Sequence, residues 1–159
     1  MKGELMMKFE HQDKLDNFLS LINEHLTQEE KRISVMFSSQ NASPWNGEEL
    51  AKENEMLLSN VSGKANVYML FTAKKGSSKY ELRYIGKTTR KLARQRLRNH
   101  LFKKHNGTGA KLDVVKSHVQ AGGAIKVSWV AIQPESLRNW AEEELISCHP
   151  EADWNRENA

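Results

Sequence analysis

Two short apolar runs separated by turn-forming residues are the feature that most constrains the fold of this chain. The first run covers residues 67–71 (Val-Tyr-Met-Leu-Phe), and the second covers residues 80–86 (Tyr-Glu-Leu-Arg-Tyr-Ile-Gly). Between them, residues 74–78 read Lys-Lys-Gly-Ser-Ser. Aromatic and β-branched residues favour strands, and glycine and serine favour turns. The pattern therefore predicts a β-hairpin.

One further strand and several helices are predicted around this hairpin. Apolar and polar residues alternate over residues 125–131, which predicts a third strand. Helical spacing of apolar residues predicts helices over residues 13–27, 89–104, 111–120 and 134–149. Asn46 and Glu49 resemble a capping box, which predicts that another helix begins there and continues to about Leu58. The polar residues 38–44 are predicted to form a connection, and residues 106–109 are predicted to break a helix.

These elements predict an α+β fold in two parts. Residues 64–159 follow the order β-β-α-α-β-α, which indicates a small three-stranded, mainly antiparallel sheet flanked by helices. Residues 1–63 are predicted to form an N-terminal acidic helical lobe. A chain of 159 residues has room for one core, but not for two large ones.

The charge of the chain is concentrated in its middle third. Residues 64–118 contain 15 Lys and Arg against 2 Asp and Glu, although the net charge of the whole chain is only +4. Residues 1–63 contain 6 against 11, and residues 119–159 contain 3 against 7. Such a basic segment favours a polyanionic partner, because each neutralised phosphate releases counterions.

Cysteine content and hydropathy restrict the setting of the protein. The single cysteine, Cys148, excludes an intrachain disulfide framework and a cysteine-rich zinc site. No apolar run approaches the ~18 residues of a membrane-spanning helix. The first residues lack the pattern of a signal peptide. We therefore expect a cytoplasmic protein without a membrane partner.

Residues 64 to about 156 carry Tyr84-Ile85-Gly86 at the end of the second predicted strand, Arg96 and His100 on the basic helix, Glu142 on the last helix and Asn155 about a dozen residues later. With these residues in this order, the segment resembles the GIY-YIG nuclease superfamily, which includes homing, repair and restriction endonucleases. Tyr84-Ile85-Gly86 matches the second half of the family signature, and Asn66-Val67-Tyr68 retains the tyrosine of the first half. Arg96 and His100 match the arginine and histidine of the helix after the hairpin. Glu142 precedes Ile146 by four residues, as the family glutamate does, and Asn155 matches the closing asparagine.

The resemblance implies a metal-dependent endonuclease that hydrolyses phosphodiester bonds in DNA, with RNA left open as a substrate. One Mg²⁺ or Mn²⁺ ion would be held by Glu142, and a tyrosine, preferentially Tyr68, would assist the attack of water. The implied catalytic residues are Tyr68, Tyr84, Arg96, His100 and Glu142, supported by Gly86, Lys87 and Asn155.

The resemblance leaves two positions open. Arg94 competes with Arg96 for the arginine position, although Arg96 has the histidine one turn later. Glu143 competes with Glu142, although Glu142 has the isoleucine at the family spacing. The remaining basic residues are predicted to bind nucleic-acid phosphates: Arg90, Lys91, Arg94, Arg98, Lys103 and Lys104.

Other functions remain consistent with the same residues. The chain can be a nucleic-acid-binding module whose catalytic site has decayed, since only the tyrosine survives in the first signature half. The acidic lobe can dock a partner, contribute to recognition or mask the basic segment. A restriction, mobile-element or repair role stays open. So does oligomeric state, because double-strand cutting with one site per chain requires a homodimer or successive nicks.

Overall fold

The computed structural model describes residues 5–105 and 110–156 of the chain. The predicted helix break at residues 106–109 lies outside the described residues. The described part contains one four-stranded antiparallel sheet with strand order β1-β4-β2-β3. The strands are β1 Ile33–Ser34, β2 Val67–Ala73, β3 Glu81–Lys87 and β4 Ala124–Val130. The α+β class is confirmed, but the prediction of three strands is wrong, because the two residues of β1 pair with β4.

Seven helices surround the sheet in the described part of the chain. They are α1 Gln12–Thr27, α2 Ser39–Ala42, α3 Gly47–Glu53, α4 Glu55–Val61, α5 Ala93–Leu101, α6 Leu112–Gln120 and α7 Leu137–Cys148. A 3-10 turn, Arg90–Leu92, leads into α5. None of the helices in these ranges combines the length and apolar character that a membrane-spanning segment needs.

Three predicted segments differ from the structure, and one of them is the helix predicted over residues 89–104, which is confined to Ala93–Leu101 after the 3-10 turn. Residues 38–44, predicted as a connection, include the short helix α2. The helix predicted from Asn46 to Leu58 is capped by Asn46, which accepts a hydrogen bond from the Glu49 amide, but it is interrupted at Asn54. The buried side-chain amide of Asn54 accepts a hydrogen bond from the backbone N–H of Met36. It donates hydrogen bonds to the backbone carbonyls of Met36 and Leu50. These contacts tie the break to the segment that follows β1.

The central strand β2 separates two apolar layers. All of its residues are buried, and alternate side chains point to opposite faces of the sheet. Tyr68 and Leu70 belong to one layer, which includes apolar residues of α3, α4, α5 and α6. Val67, Met69 and Phe71 belong to the other layer, which includes residues of α1 and α7. Burial on both faces explains the continuous apolar run of this strand.

A bulge in β3 determines which of its side chains face the first layer. Leu70 is paired with Tyr84 and Phe71 with Leu82, so Arg83 is an extra residue in β3. Tyr84 is two residues from Gly86, the partner of Tyr68 in the regular part of the ladder, so Tyr84 packs in the same layer as Tyr68. The bulge reverses the alternation beyond Tyr84, and Leu82 therefore packs in the other layer.

The predicted boundary between an N-terminal lobe and residues 64–159 stays a prediction. Helix α1 packs against β4 and α7, and Ser128 donates a buried hydrogen bond of 2.6 Å to the Leu26 carbonyl. Helix α4 packs against α5. The acidic N-terminal segment thus contacts both faces of the sheet assembly.

Candidate active site

Two tyrosines from adjacent strands form the floor of the site. The ring centroids of Tyr68 and Tyr84 are 6.3 Å apart. Gly86 is paired with Tyr68 across the β2–β3 ladder. A Cβ atom at residue 86 would lie 2.3 Å from Cζ of Tyr68 and 2.5 Å from its hydroxyl oxygen. Gly86 is therefore needed so that the Tyr68 ring can lie across the β3 backbone.

Helix α5 supplies two side chains above these tyrosines. Arg96 and His100 are one helical turn apart and share a face of the helix. Nε2 of His100 lies 2.7 Å from the Tyr68 hydroxyl oxygen, and the His100 ring centroid lies 5.1 Å from that of Tyr84. The guanidinium of Arg96 lies close enough to both tyrosine hydroxyls for its positive charge to lower their pKa values. The four side chains form one cluster from three elements.

The backbone fixes the protonation of His100. Its Nδ1 accepts a hydrogen bond of 3.0 Å from the Lys111 amide, so the hydrogen of the neutral ring lies on Nε2. Nε2 therefore donates to the Tyr68 hydroxyl oxygen. Burial lowers the pKa of His100 to about 3, and the charges of Arg96 and Lys111 act in the same direction. The His100 ring has no exposed surface. It contacts Tyr68, and a phosphate group arriving from solvent would not reach it.

Burial and nearby charge oppose one another at the tyrosines. Burial raises the pKa of Tyr68 far above its usual value, and the guanidinium of Arg96 acts in the opposite direction. Burial also raises the pKa of Tyr84, and Arg96 again opposes the shift. Tyr68 has no exposed surface, whereas Tyr84 keeps 8% of its surface exposed. Of the two, Tyr84 is thus the ring that solvent reaches.

Helix α7 brings one carboxylate to the edge of this cluster. Glu142 is partly buried, and its negative charge acts on both tyrosine hydroxyls. Oε1 of Glu142 lies 3.4 Å from Nζ of Lys87, the residue that ends β3. Glu143 and Glu144 are exposed. Of these three consecutive glutamates, Glu142 is the one whose charge reaches the tyrosines.

Two asparagines hold the strands that carry the site. The side chain of Asn155 donates to the Ile85 carbonyl and accepts from the Ile85 amide, both at 2.8 Å. The side chain of Asn66 makes the same pair of bonds to Ile132, both at 2.9 Å. Asn155 thereby fixes the backbone between Tyr84 and Gly86. Asn66 thereby joins the start of β2 to the residues after β4.

The geometry separates the two arginines that compete in the sequence. Arg94 forms a bidentate ion pair with Glu55 of α4, with nitrogen–oxygen distances of 2.8 and 2.7 Å. Arg96 lies about 200° further around the helix, because each residue advances by about 100°. Arg96 is therefore the arginine beside the tyrosines, and Arg94 lies on another face of α5.

The other basic residues predicted to bind nucleic acid are mostly engaged with acidic partners. Lys91 is exposed, and Arg98 contacts Nε2 of His105 at 3.0 Å. The remaining four form ion pairs: Arg90 with Glu135, Arg94 with Glu55, Lys103 with Glu48, and Lys104 with Asp113. The basic segment is thus less free to bind a phosphate backbone than the sequence suggests.

Lys111 is a site residue that the sequence did not reveal. Its amide fixes the His100 ring, and its ammonium group lies 5.8 Å from the centroid of the Tyr84 ring. Lys111 directly precedes α6 and belongs to no motif. The only available signal was its place in the basic segment.

The donor set around Glu142 suits a hard divalent cation that keeps most of its waters. It consists of one carboxylate near two phenol oxygens, all oxygen donors. Residues 5–105 and 110–156 contain no group of three or more His, Cys, Asp or Glu side chains arranged to hold a metal ion. A cation here would therefore rely on Glu142 and water, and the Lys87 ammonium group would have to move away from the carboxylate.

Comparisons with protein-family models, with curated proteins and with solved structures found no match for this chain. The family resemblance therefore stays a prediction that rests on the residues quoted for it.

Replacing Gly86 with alanine is expected to disrupt the site from its floor. The added Cβ would overlap the Tyr68 ring, so we expect the free energy of unfolding to fall by about 1–3 kcal/mol. Urea denaturation would measure it. Alanine in place of an unobstructed glycine usually stabilises a protein by about 0.4–1 kcal/mol, so a stabilised variant would contradict the close contact.

Replacing His100 with glutamine is expected to weaken the dependence of stability on pH. Between pH 6.5 and about 3 the unfolded chain binds a proton at His100 that the folded chain does not. Stability is therefore lost as the pH falls, by up to about 1.4 kcal/mol per pH unit. Urea denaturation at pH 7 and 5 should show a loss about 2 kcal/mol smaller in His100→Gln than in the wild type. The exposed His11→Gln is the matched control, and an equal loss in all three proteins would show that His100 is not buried in its neutral form.

Proposed function

We propose that this protein is an endonuclease that hydrolyses phosphodiester bonds in nucleic acid, with DNA as the preferred substrate. The observation that supports this proposal is the convergence of Tyr68, Tyr84, Arg96, His100 and Glu142, which come from four elements of the fold. The cluster combines a cation, a carboxylate and two phenols beside a strongly basic segment. Phosphodiester hydrolysis requires such groups to bind the phosphate, to position water and to stabilise developing charge.

Arg96 is the group assigned to the scissile phosphate. Its guanidinium is about half-buried beside two neutral phenols. No carboxylate forms an ion pair with it among the described residues. A guanidinium can donate two parallel hydrogen bonds to one phosphate group. Arg96 would bind two non-bridging oxygens and stabilise the negative charge that grows on them as water attacks.

Tyr68 and Tyr84 are assigned different parts. The sequence favoured Tyr68 as the tyrosine that assists the attack of water. Because Tyr68 has no exposed surface and Tyr84 is the more accessible ring, we assign the contact with the attacking water to the Tyr84 hydroxyl instead. Tyr68 accepts the Nε2 hydrogen of His100, which leaves its own hydroxyl hydrogen to be donated within the cluster. His100 is a positioning residue in this scheme, because it orients Tyr68 and does not touch the substrate.

Glu142 is assigned to the divalent cation, and Lys87 is assigned to a substrate phosphate. A divalent cation held by Glu142 would lower the pKa of a bound water and stabilise ionised oxygens nearby. In the chain alone, burial keeps Tyr68 protonated at neutral pH. When Lys87 leaves Glu142, its ammonium group becomes free to bind a substrate phosphate beside the site.

A catalytically decayed nucleic-acid-binding module is the second candidate. The observation that favours it is the Lys87–Glu142 ion pair, which occupies the carboxylate that a cation would need. In such a module, Arg96 would bind phosphate as it does in the first proposal. The two candidates differ in whether nucleic acid is cut when a divalent cation is present.

Replacing Glu142 with glutamine is expected to reduce cutting by about a thousandfold, because Glu142 is the carboxylate of residues 5–105 and 110–156 whose charge reaches both tyrosines. Binding should change little, since Arg96 remains. The measurement is the rate of cutting of supercoiled plasmid, single-stranded DNA and a structured RNA with Mg²⁺, Mn²⁺ or EDTA. Glu143→Gln is the matched control, because that neighbouring side chain is exposed and should be dispensable.

Equal losses of cutting rate in Glu142→Gln and Glu143→Gln would show that the effect comes from the change in net charge. The assignment of Glu142 to the divalent cation would then be wrong. Salt-sensitive binding without cutting of any substrate by the wild type would favour the binding module.

A further inference from the structure

A groove lies between α3–α4 and α5, away from the candidate active site. It has a volume of about 370 Å³, and its basic lining residues are Arg94, Arg98, Lys103 and Lys52. Arg94 and Arg98 are one turn apart on α5 and share a face that is turned about 200° from Arg96. Nucleic acid bound at Arg96 would therefore approach a different side of the helix.

Two carboxylates from the acidic N-terminal segment form ion pairs with two of the basic residues that line this groove. Glu55 binds both terminal nitrogens of Arg94, and the guanidinium lowers the pKa of Glu55 to about 2. Glu48 accepts a hydrogen bond of 2.8 Å from the ammonium group of Lys103. A carboxylate that binds arginine through two oxygens has the geometry that a phosphate group would adopt there.

These ion pairs are not needed to hold α3 and α4 in place. Leu50 of α3 and Leu57, Leu58 and Val61 of α4 are buried in the layer that also contains Leu97 and Leu101 of α5. The ion pairs are open to solvent, since the side chains of Glu55 and Glu48 are 57% and 69% exposed. Exposed pairs contribute little to stability and are weakened by salt. Both glutamates can therefore rotate away without movement of the backbone.

A third cation lines the same groove. Arg98 lies one turn after Arg94 on α5, and its Nη2 contacts Nε2 of His105 at 3.0 Å. The groove thus offers two exchangeable ion pairs and a further guanidinium on the same face of α5.

We propose that the groove formed by Arg94, Arg98 and Lys103 is a second binding surface for nucleic-acid phosphates, and that Glu48 and Glu55 compete with those phosphates for it. This inference rests on the proposed function in one respect, namely that the polyanion is nucleic acid. The backbone of a long substrate displaces the two carboxylates and adds contacts outside the cleavage site. A short substrate that reaches only Arg96 leaves the carboxylates in place. The protein consequently binds long nucleic acid more tightly than short fragments.

The test replaces both glutamates with glutamine and measures binding of a long labelled DNA duplex in EDTA by fluorescence anisotropy over a series of salt concentrations. Glu48→Gln/Glu55→Gln should raise the affinity about tenfold at moderate salt. The plot of log affinity against log salt concentration should steepen by about two, since each additional phosphate contact contributes about 0.9. The matched control is Glu24→Gln/Glu30→Gln, which changes the net charge equally on exposed residues outside the groove.

A second pair of substitutions locates the added affinity. Arg94→Gln/Lys103→Gln, made in the Glu48→Gln/Glu55→Gln protein, should return the affinity to the wild-type level or below it. The proposal is overturned if the glutamate variant binds no more tightly than the Glu24→Gln/Glu30→Gln control. It is also overturned if the added affinity survives loss of Arg94 and Lys103. Circular dichroism of every variant verifies folding.

Failure of this inference is distinguishable from failure of the proposed function. Binding is measured without a divalent cation, so it does not depend on cutting. Metal-dependent cutting without the gain in affinity removes the second surface alone. A gain in affinity without cutting removes the nuclease and retains the surface. Absence of nucleic-acid binding in every variant removes both.

Discussion

The hydrogen bond between His100 and the Tyr68 hydroxyl is the interaction on which the candidate site depends. Both side chains are fully buried, so neither can exchange this bond for one to water. The Lys111 amide holds the other side of the His100 ring and sets the direction of the bond. Gly86 provides the space in which the Tyr68 ring lies. Loss of either hydrogen bond would leave a buried polar group without a partner. The energetic cost of that loss keeps the side chains of the small sheet and of α5 in fixed positions.

The layers of the fold create the environment in which this interaction lies. Tyr68 lies in the central strand, where burial on both faces removes solvent and raises the pKa of its hydroxyl. The regular pairing of β2 with β3 puts Tyr84 on the same face, and Arg96 from α5 supplies the positive charge that opposes the effect of burial. Glu142 reaches the cluster from the helix that packs on β3. The apolar layers thus create a dry environment with Arg96 and Glu142 at its edge, and these are the charged groups to which the proposed function gives a role.

The hairpin, the α+β class and the Asn46 cap were predictable because each depends on residues close together in the sequence. The missed features depend on distant ones. Strand β1 has only two residues, both exposed, and it is defined by its pairing with β4. The break at Asn54 depends on bonds to Met36. The sequence placed Arg96 and His100 on one helical face, but the contact of His100 with Tyr68, the role of Lys111 and the engagement of Arg94 by Glu55 arise from tertiary packing alone.

The most direct test of the account is the rate at which the wild type and Tyr84→Phe cut supercoiled plasmid in the presence of Mg²⁺. The substitution removes the hydroxyl assigned to the attacking water and leaves the hydrogen bond between His100 and Tyr68 intact, so the protein should fold and should bind DNA as the wild type does. The account predicts metal-dependent cutting by the wild type and a loss of about a hundredfold or more in Tyr84→Phe. Equal rates for the two proteins, or no cutting by the wild type, would contradict it.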